Sequence, residues 1–206
     1  MIRKIILASR SLQRKTLLSF LDLPFEVIPA DINEKEIKDE DFAVRARNIA
    51  LAKAKAVSTK HEGIIIAADT FVVHESGRVL EKPINLEEAK KMLLLESGTK
   101  LKVYTGFCYL DKENGIEHSE TFITEVTFRK LYPEEIESYV KNMPVLTWSA
   151  AFSPAYHYGM SMIKSFSGSM TAFTHGLPLE ALVPLLKQSG FSIRPNIQFF
   201  NQFSKK

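Results

Sequence analysis

The apolar run Ile64, Ile65, Ile66, Ala67 and Ala68 ends in Asp69 and Thr70, and Lys82 with Pro83 follows a second apolar run and the turn Glu75, Ser76, Gly77. A carboxylate delivered by a strand and a lysine brought back by a turn are ingredients of general-base and anion-neutralising chemistry. Continuous apolarity over residues 64–68 predicts a strand buried on both faces, with Asp69 at its carboxyl end, where α/β sheets open crevices for ligands. The alternative is an aspartate that only caps a turn. A second acid, Glu34, also follows a strand-like segment. The two carboxylates could share a Mg²⁺ or Mn²⁺, hard cations that prefer oxygen, or be unrelated solvated loop acids.

Basic residues cluster at the first strand-to-helix junction, where Ser9, Arg10, Ser11, Arg14 and Lys15 surround an expected helix start. Helix amino ends attract phosphates through free N–H groups and the dipole, and positive charge there is unfavourable without a bound anion. That favours a phosphate site over an ordinary solvated first turn. Farther on, Lys53 and Lys55 lie in an alanine-rich helical segment. They point about 200° apart, so at most one of them faces a cleft. The histidines, His61, His74, His118, His157 and His175, have no metal-ligand spacing. Neither a Walker loop nor a dinucleotide glycine fingerprint is present.

The elements that must position these groups follow from pattern. Residues 2–8 predict a strand, Ser9 or Ser11 a helix cap, and 25–29 a second strand. Asp39, Glu40 and Asp41 introduce a helix to about residue 59. A helix opens at Leu86 and stops at Gly98. Residues 101–109 and 117–129 predict a long antiparallel hairpin turned at Asn114 and Gly115. Pro133 opens another helix, 145–168 has no clear periodicity, and 177–188 closes as a helix. Strands and helices alternate at both ends with a hairpin between, so the class is α/β with a mixed, partly antiparallel sheet flanked by helices. The expected organisation is a single domain of two lobes around a central cleft over residues 1–190, and a Phe-rich extension over 191–206.

Lys and Arg total 27 against 24 Asp and Glu, a balance that gives no general nucleic-acid-binding surface. No apolar stretch reaches the roughly 20 residues of a membrane span, and Ser9, Arg10 and Ser11 interrupt the first apolar segment before it can serve as a signal peptide. A cytoplasmic protein is expected. The single cysteine, Cys108, lies in a strand-like run and predicts a buried reduced thiol.

Taken together, the segments resemble the Maf family of nucleoside triphosphate pyrophosphatases. That family opens with a Leu-Ala-Ser-x-Ser-Pro-Arg-Arg-like motif before a Leu-Leu pair, answered here by Leu7, Ala8, Ser9, Ser11 and Arg14 with Leu17 and Leu18. Further blocks follow in order: Asn33 and Glu34; Ala52 through Lys55 and Ala56; Ala68, Asp69 and Thr70 with Glu81, Lys82 and Pro83; Ser97 and Gly98 before Val103 to Gly106; and Gly176 to Leu179. The resemblance implies hydrolysis of a nucleoside triphosphate between the α and β phosphates, with Mg²⁺ or Mn²⁺ and in a homodimer. It makes Asp69, Glu34 and Lys82 catalytic, Asp69 and Glu34 the metal ligands, and Ser9, Arg14, Lys15, Lys55 and Thr70 substrate contacts.

The chain departs from the family pattern at Leu12, Gln13, Leu101 and Ala155. Gln13 followed by Arg14 and Lys15, together with the spacing from Gly168 to Gly176, leans toward the 7-methyl-GTP subgroup, with dTTP and UTP as the alternative. A further alternative is a catalytically degenerate homologue that binds nucleotide or a partner in cell-division control.

Overall fold

The computed structural model describes residues 3–194, so the expected extension lies outside the described residues beyond Arg194. Seven strands form one mixed sheet. The central path runs β2 (Phe25–Val27), β1 (Ile5–Leu7), β3 (Ile64–His74), β5 (Lys100–Asp111), β6 (Ile116–Phe128) and β7 (Ile163–Ser167), and β4 (Val79–Leu80) joins β3. β1 is parallel to β2 and β3, and every other pairing is antiparallel.

The apolar run in β3 is continuous because both of its faces are covered. Ile64 and Ile66 pack with Ile5 and Leu7 under α1 (Leu12–Ser19) and α7 (Leu179–Gln188). Ile65 and Ala67 pack on the other face with Ile6 and Ala8 under α2 (Phe42–Ser58). Beyond the middle of the sheet a separate core forms from Val72, Leu101, Val103, Val126 and Phe128, covered by α3 (Leu86–Glu96) and α4 (Pro133–Asn142). Phe191 and Ile193 pack on the first of these cores. Cys108 is fully buried, and desolvation pushes its thiol up to about 12, so it is the unreactive thiol expected.

One expectation needs correction. β3 does not end at Asp69 but continues to His74, because β5 pairs with it along its whole length, from Ile64 opposite Asp111 to His74 opposite Leu101. What marks Asp69 is instead a one-sided interruption of the pairing. On the opposite edge β1 pairs only as far as Ile66, and β4 takes up that edge again only at Val72. Residues 67–71 have no strand partner on that side, and Asp69 is at the centre of the gap.

Two helix ends follow the capping chemistry. The Ser11 hydroxyl accepts from Arg14 N at the start of α1, and Asp41 Oδ1 accepts from Ala43 N at 2.7 Å at the start of α2. The position of α2 depends on Gly106, which faces Asp69 across the β3–β5 ladder. A Cβ there would lie 2.0 Å from the carbonyl oxygen of Ala46, so only glycine admits the helix at this distance. Gly106→Ala is expected to lower stability by about 2–3 kcal/mol, because the clash is with backbone and cannot be relieved by a rotamer. Thermal and denaturant unfolding would measure it.

Glu96, at the end of α3, is fully buried and neither carboxylate oxygen has a hydrogen-bond partner. Burial pushes this carboxyl well above its ordinary range. In the unfolded chain it ionises above roughly pH 4.3, while the folded protein keeps the proton. Unfolding then releases a proton, and stability falls as pH rises. Asp111 and Glu135, both held at about 2, change stability only at lower pH. Glu96→Gln should therefore flatten the decline in stability between about pH 5 and 8. Parallel stability curves for the two proteins would contradict this assignment.

Candidate active site

The gap in the β3 edge is the floor of a cleft of about 1010 Å³. Asp69 points to the α2 side, where Lys53 Nζ donates to Asp69 Oδ1 at 2.7 Å and lies 2.9 Å from Glu34 Oε1. Two carboxylates from distant segments thus converge on one ammonium. Lys53 and Asp69 are nearly buried, with side-chain exposures of 11% and 12%, whereas Glu34 reaches in from a short 3₁₀ turn, Glu34–Glu36, and is about half exposed. A buried ion pair gains strength from low dielectric only when its geometry is good, and the two short contacts meet that condition.

On the other face Arg14 is buried and every part of its guanidinium is engaged. Nε donates to Gly176 O at 2.9 Å, Nη1 to Ser9 Oγ at 2.9 Å and Nη2 to Thr70 Oγ1 at 3.0 Å. Burial pushes its pKa down, and the charges of Asp69 and Glu34 oppose that shift. Arg14 therefore ties the loop after β1, the middle of β3 and the end of α6 (Met170–His175) into one wall. Gly176 follows α6 at φ 68°, and a Cβ on it would stand 2.8 Å from Thr70 Oγ1. Its backbone freedom is what lets its carbonyl reach Arg14.

The structure brings together most of the residues the sequence singled out. Ser9, Arg14, Glu34, Asp69, Thr70 and Lys82 all line the cleft. Two do not. Lys55 is exposed on the far side of α2, 3.8 Å from Glu117, and Lys15 is exposed on α1 outside the cleft lining. The reason for the first is helix phase: Lys53 falls on the stripe of Ala46, Ile49 and Ala50 that packs on the sheet, and Lys55 falls off it. The stripe was visible in the sequence, and following it would have selected Lys53. Also missed were Arg45, one further cation of the cleft on the same helix, and the aromatic group Trp148, Phe152, Tyr156 and Phe173.

A family model described as "Maf-like protein" matches residues 4–189. The chain belongs to the Maf family. A dTTP/UTP pyrophosphatase of Bacillus mycoides is 38% identical over 187 residues, covering 90% of this chain and 95% of that protein. A dTTP/UTP pyrophosphatase of Bacillus anthracis is 37% identical over 192 residues, covering 93% and 98%. Among solved structures, a HAM1 protein from Coxiella burnetii aligns with a TM-score of 0.49 and 17% identity, covering 90% of this chain and 99% of that one.

In this Maf chain the far wall of the cleft is a turn rather than a regular element. Ala150 and Ala151 both adopt left-handed backbone, at φ 60° and 54°. The strain is held by cross-links: Ala150 N donates to Glu81 O at 3.0 Å, and the Ser149 hydroxyl donates to Thr70 O at 3.5 Å, spanning the open edge of β3. Alanine in this region costs on the order of 1 kcal/mol more than glycine, which pays little steric penalty there. Ala150→Gly should raise stability by up to about 1 kcal/mol while leaving the wall in place. A lower unfolding midpoint in the variant would show that the turn is relaxed and the strain absent.

Proposed function

We propose that this Maf chain hydrolyses nucleoside triphosphates between the α and β phosphates, giving a monophosphate and pyrophosphate, and that dTTP and UTP are its substrates. The observation that carries the reading is the Asp69–Lys53–Glu34 triad at the floor of a cleft also lined by the cations Arg14, Arg45 and Lys82. The leaning toward 7-methyl-GTP drawn from Gln13 and the 168–176 spacing gives way to its alternative: the relatives at 37–38% identity carry the dTTP/UTP name.

Phosphoryl chemistry of this kind needs positioning and charge neutralisation more than covalent catalysis. Water attacks the α phosphorus, the bond from that phosphorus to the bridging oxygen breaks, and pyrophosphate departs. Asp69 takes the proton of the attacking water, and Lys53 keeps the Asp69 and Glu34 carboxylates aimed at one point. Lys82, exposed at the cleft rim, supplies positive charge to the phosphates. Ser9 and Thr70 are held by Arg14, so the three act as a preset wall against which the substrate is placed.

Among the described residues no group of three or more His, Cys, Asp and Glu side chains converges as a metal cage. The two carboxylates that do converge, Asp69 and Glu34, suit Mg²⁺, which binds one or two carboxylates and completes its shell with waters and substrate phosphates. When bound, Mg²⁺ supplies neutralisation of phosphate charge. The aromatic residues Trp148, Phe152 and Tyr156 that line the cleft support placing the base on that side, with Tyr156 the least buried of the three.

The test is pyrophosphate release from dTTP, UTP, CTP, GTP and 7-methyl-GTP with Mg²⁺. dTTP and UTP should turn over fastest, and chelation should stop the reaction. Asp69→Asn and Lys53→Met should each lose about 10² or more in rate, while Lys55→Met stays within about twofold. A folded protein silent across the panel would make the binding-only homologue the better account, and full activity in Asp69→Asn would overturn the role given to that residue.

A further inference from the structure

The cleft contains two arginines that the protein treats differently. Arg14 has a protein acceptor at Nε, Nη1 and Nη2. Arg45 has none of comparable quality. Its Nε is buried with no hydrogen-bond partner, and Nη2 stands 4.0 Å from Glu81 Oε1, the outer limit of an ion pair, on a carboxylate side chain that is 63% exposed. The guanidinium carbon lies 5.0 Å above the ring of Phe71, which is itself stacked on Tyr104. The aromatic pair covers one face of the guanidinium, and the side chain, 22% exposed, lines the cleft. An arginine keeps its charge and presents donors in a plane matched to two phosphate oxygens, so a part-exposed guanidinium that lines the cleft with only a 4.0 Å contact at its terminal nitrogens suits an anionic ligand.

Position says which part of the ligand. Arg45, Ile49 and Lys53 form one stripe of α2 along the cleft, four residues apart, which puts the Arg45 backbone about 12 Å from that of Lys53. Lys53 marks the reacting centre through Asp69. Arg45 is displaced from it along β3 toward Phe71 and the segment Glu81–Lys82 that follows β4, so Arg45 and Lys82 form a second cationic end. The aromatic wall with Trp148, Phe152 and Tyr156 comes from a different segment and offers ring faces rather than charge.

We infer that Arg45 receives the pyrophosphate portion of the substrate, exchanging its long contact with Glu81 for a bidentate grip on the β and γ phosphates. This rests on the pyrophosphatase reading of the same cleft. Arg45 is then the residue that makes the triphosphate a better ligand than the monophosphate, and Glu81 is the stand-in that holds the fork in register before substrate arrives.

The experiment is calorimetric titration of wild type, Arg45→Ala and Arg45→Lys with inorganic pyrophosphate and, separately, with UMP, beside steady-state hydrolysis of UTP and unfolding midpoints. Arg45→Ala should weaken pyrophosphate at least about tenfold, a factor worth about 1.4 kcal/mol, and change UMP by no more than about twofold. Arg45→Lys should recover only part, because an ammonium cannot form the bidentate contact. KM for UTP should rise in step with the loss of pyrophosphate affinity. Pyrophosphate affinity unchanged in Arg45→Ala, or UMP weakened as much as pyrophosphate, would overturn the inference while wild-type turnover leaves the pyrophosphatase reading standing. A wild type that binds pyrophosphate through Arg45 yet hydrolyses no triphosphate would overturn that reading and keep the inference. A wild type that does neither would remove both.

Discussion

The site depends on an asymmetry in the central strand. β3 is hydrogen-bonded to β5 from Ile64 to His74, so its middle is rigid, yet its other edge is left without a strand between Ile66 and Val72. A strand paired on both edges could present Asp69 only into packed helices, and a strand unpaired on both would not hold it still. One continuous ladder and one interrupted ladder give a carboxylate that is fixed and reachable. The loop after β1, the turn at Ser149 to Ala151 and the segment holding Lys82 all enter through that interruption, and each makes a bond to β3 or to its neighbour.

The second requirement is distance. Lys53 reaches Asp69 at 2.7 Å only because α2 sits hard against β5, and the carbonyl of Ala46 over Gly106 leaves no room for a side chain. The same close packing places Arg45 over Phe71. One glycine thus sets the height of a helix whose polar stripe furnishes two cations of the cleft. Arg14 is held differently, by three acceptors on the opposite face, and its charge is neutralised by no carboxylate in direct contact among the described residues. It feels Asp69 and Glu34 through the sheet, which links the two walls electrostatically without a bond between them.

How much of this was legible in the sequence follows from which patterns are local. The uniform apolarity of residues 64–68 correctly marks a strand buried on two faces, since Ile65 and Ile66 do enter opposite cores. It misplaces the strand's end, because the residues after Asp69 alternate only partly and the pairing that extends β3 comes from β5, some 35 positions away at Thr70 and Thr105. Glu34 and Asp69 were legible as types, but their meeting on a lysine is a tertiary fact. Lys53 and Lys55 show the limit sharply: the residues are alike, and only the phase of Ala46, Ile49, Ala50 and Ala54 separates them. Arg45 shares the four-residue spacing of Ile49 and Lys53, but what sets it apart, a guanidinium without a close acceptor, is a tertiary fact. The aperiodic stretch 145–168 folds as two short turns, Val145–Thr147 and Ser149–Ala151, the one-turn helix α5 (His157–Met160) and β7, and the second turn contains left-handed alanines that no propensity would have chosen.

The division of labour between the two walls bears on selectivity. A triphosphate carries its charge at one end, so the cations of α2 and Lys82 can orient it from a distance, before any contact with the base is made. That orientation is the same for every nucleotide. On the proposed function, discrimination falls to the wall formed by residues 144–156 and 173–176, where the large side chains are aromatic and Tyr156 is less buried than Trp148, Phe152 and Phe173. The polar groups of that wall are the hydroxyls of Thr147, Ser149, Ser153, Tyr156 and Thr174, the Trp148 indole N–H and the His175 imidazole. Ser149 is already bonded to β3, and Ser153 is bonded through its backbone to the Tyr139 hydroxyl. The strained turn that closes the open edge of β3 also carries this aromatic wall, so the wall is held in place by the strand that bears Asp69 and the two sides of the cleft share one scaffold.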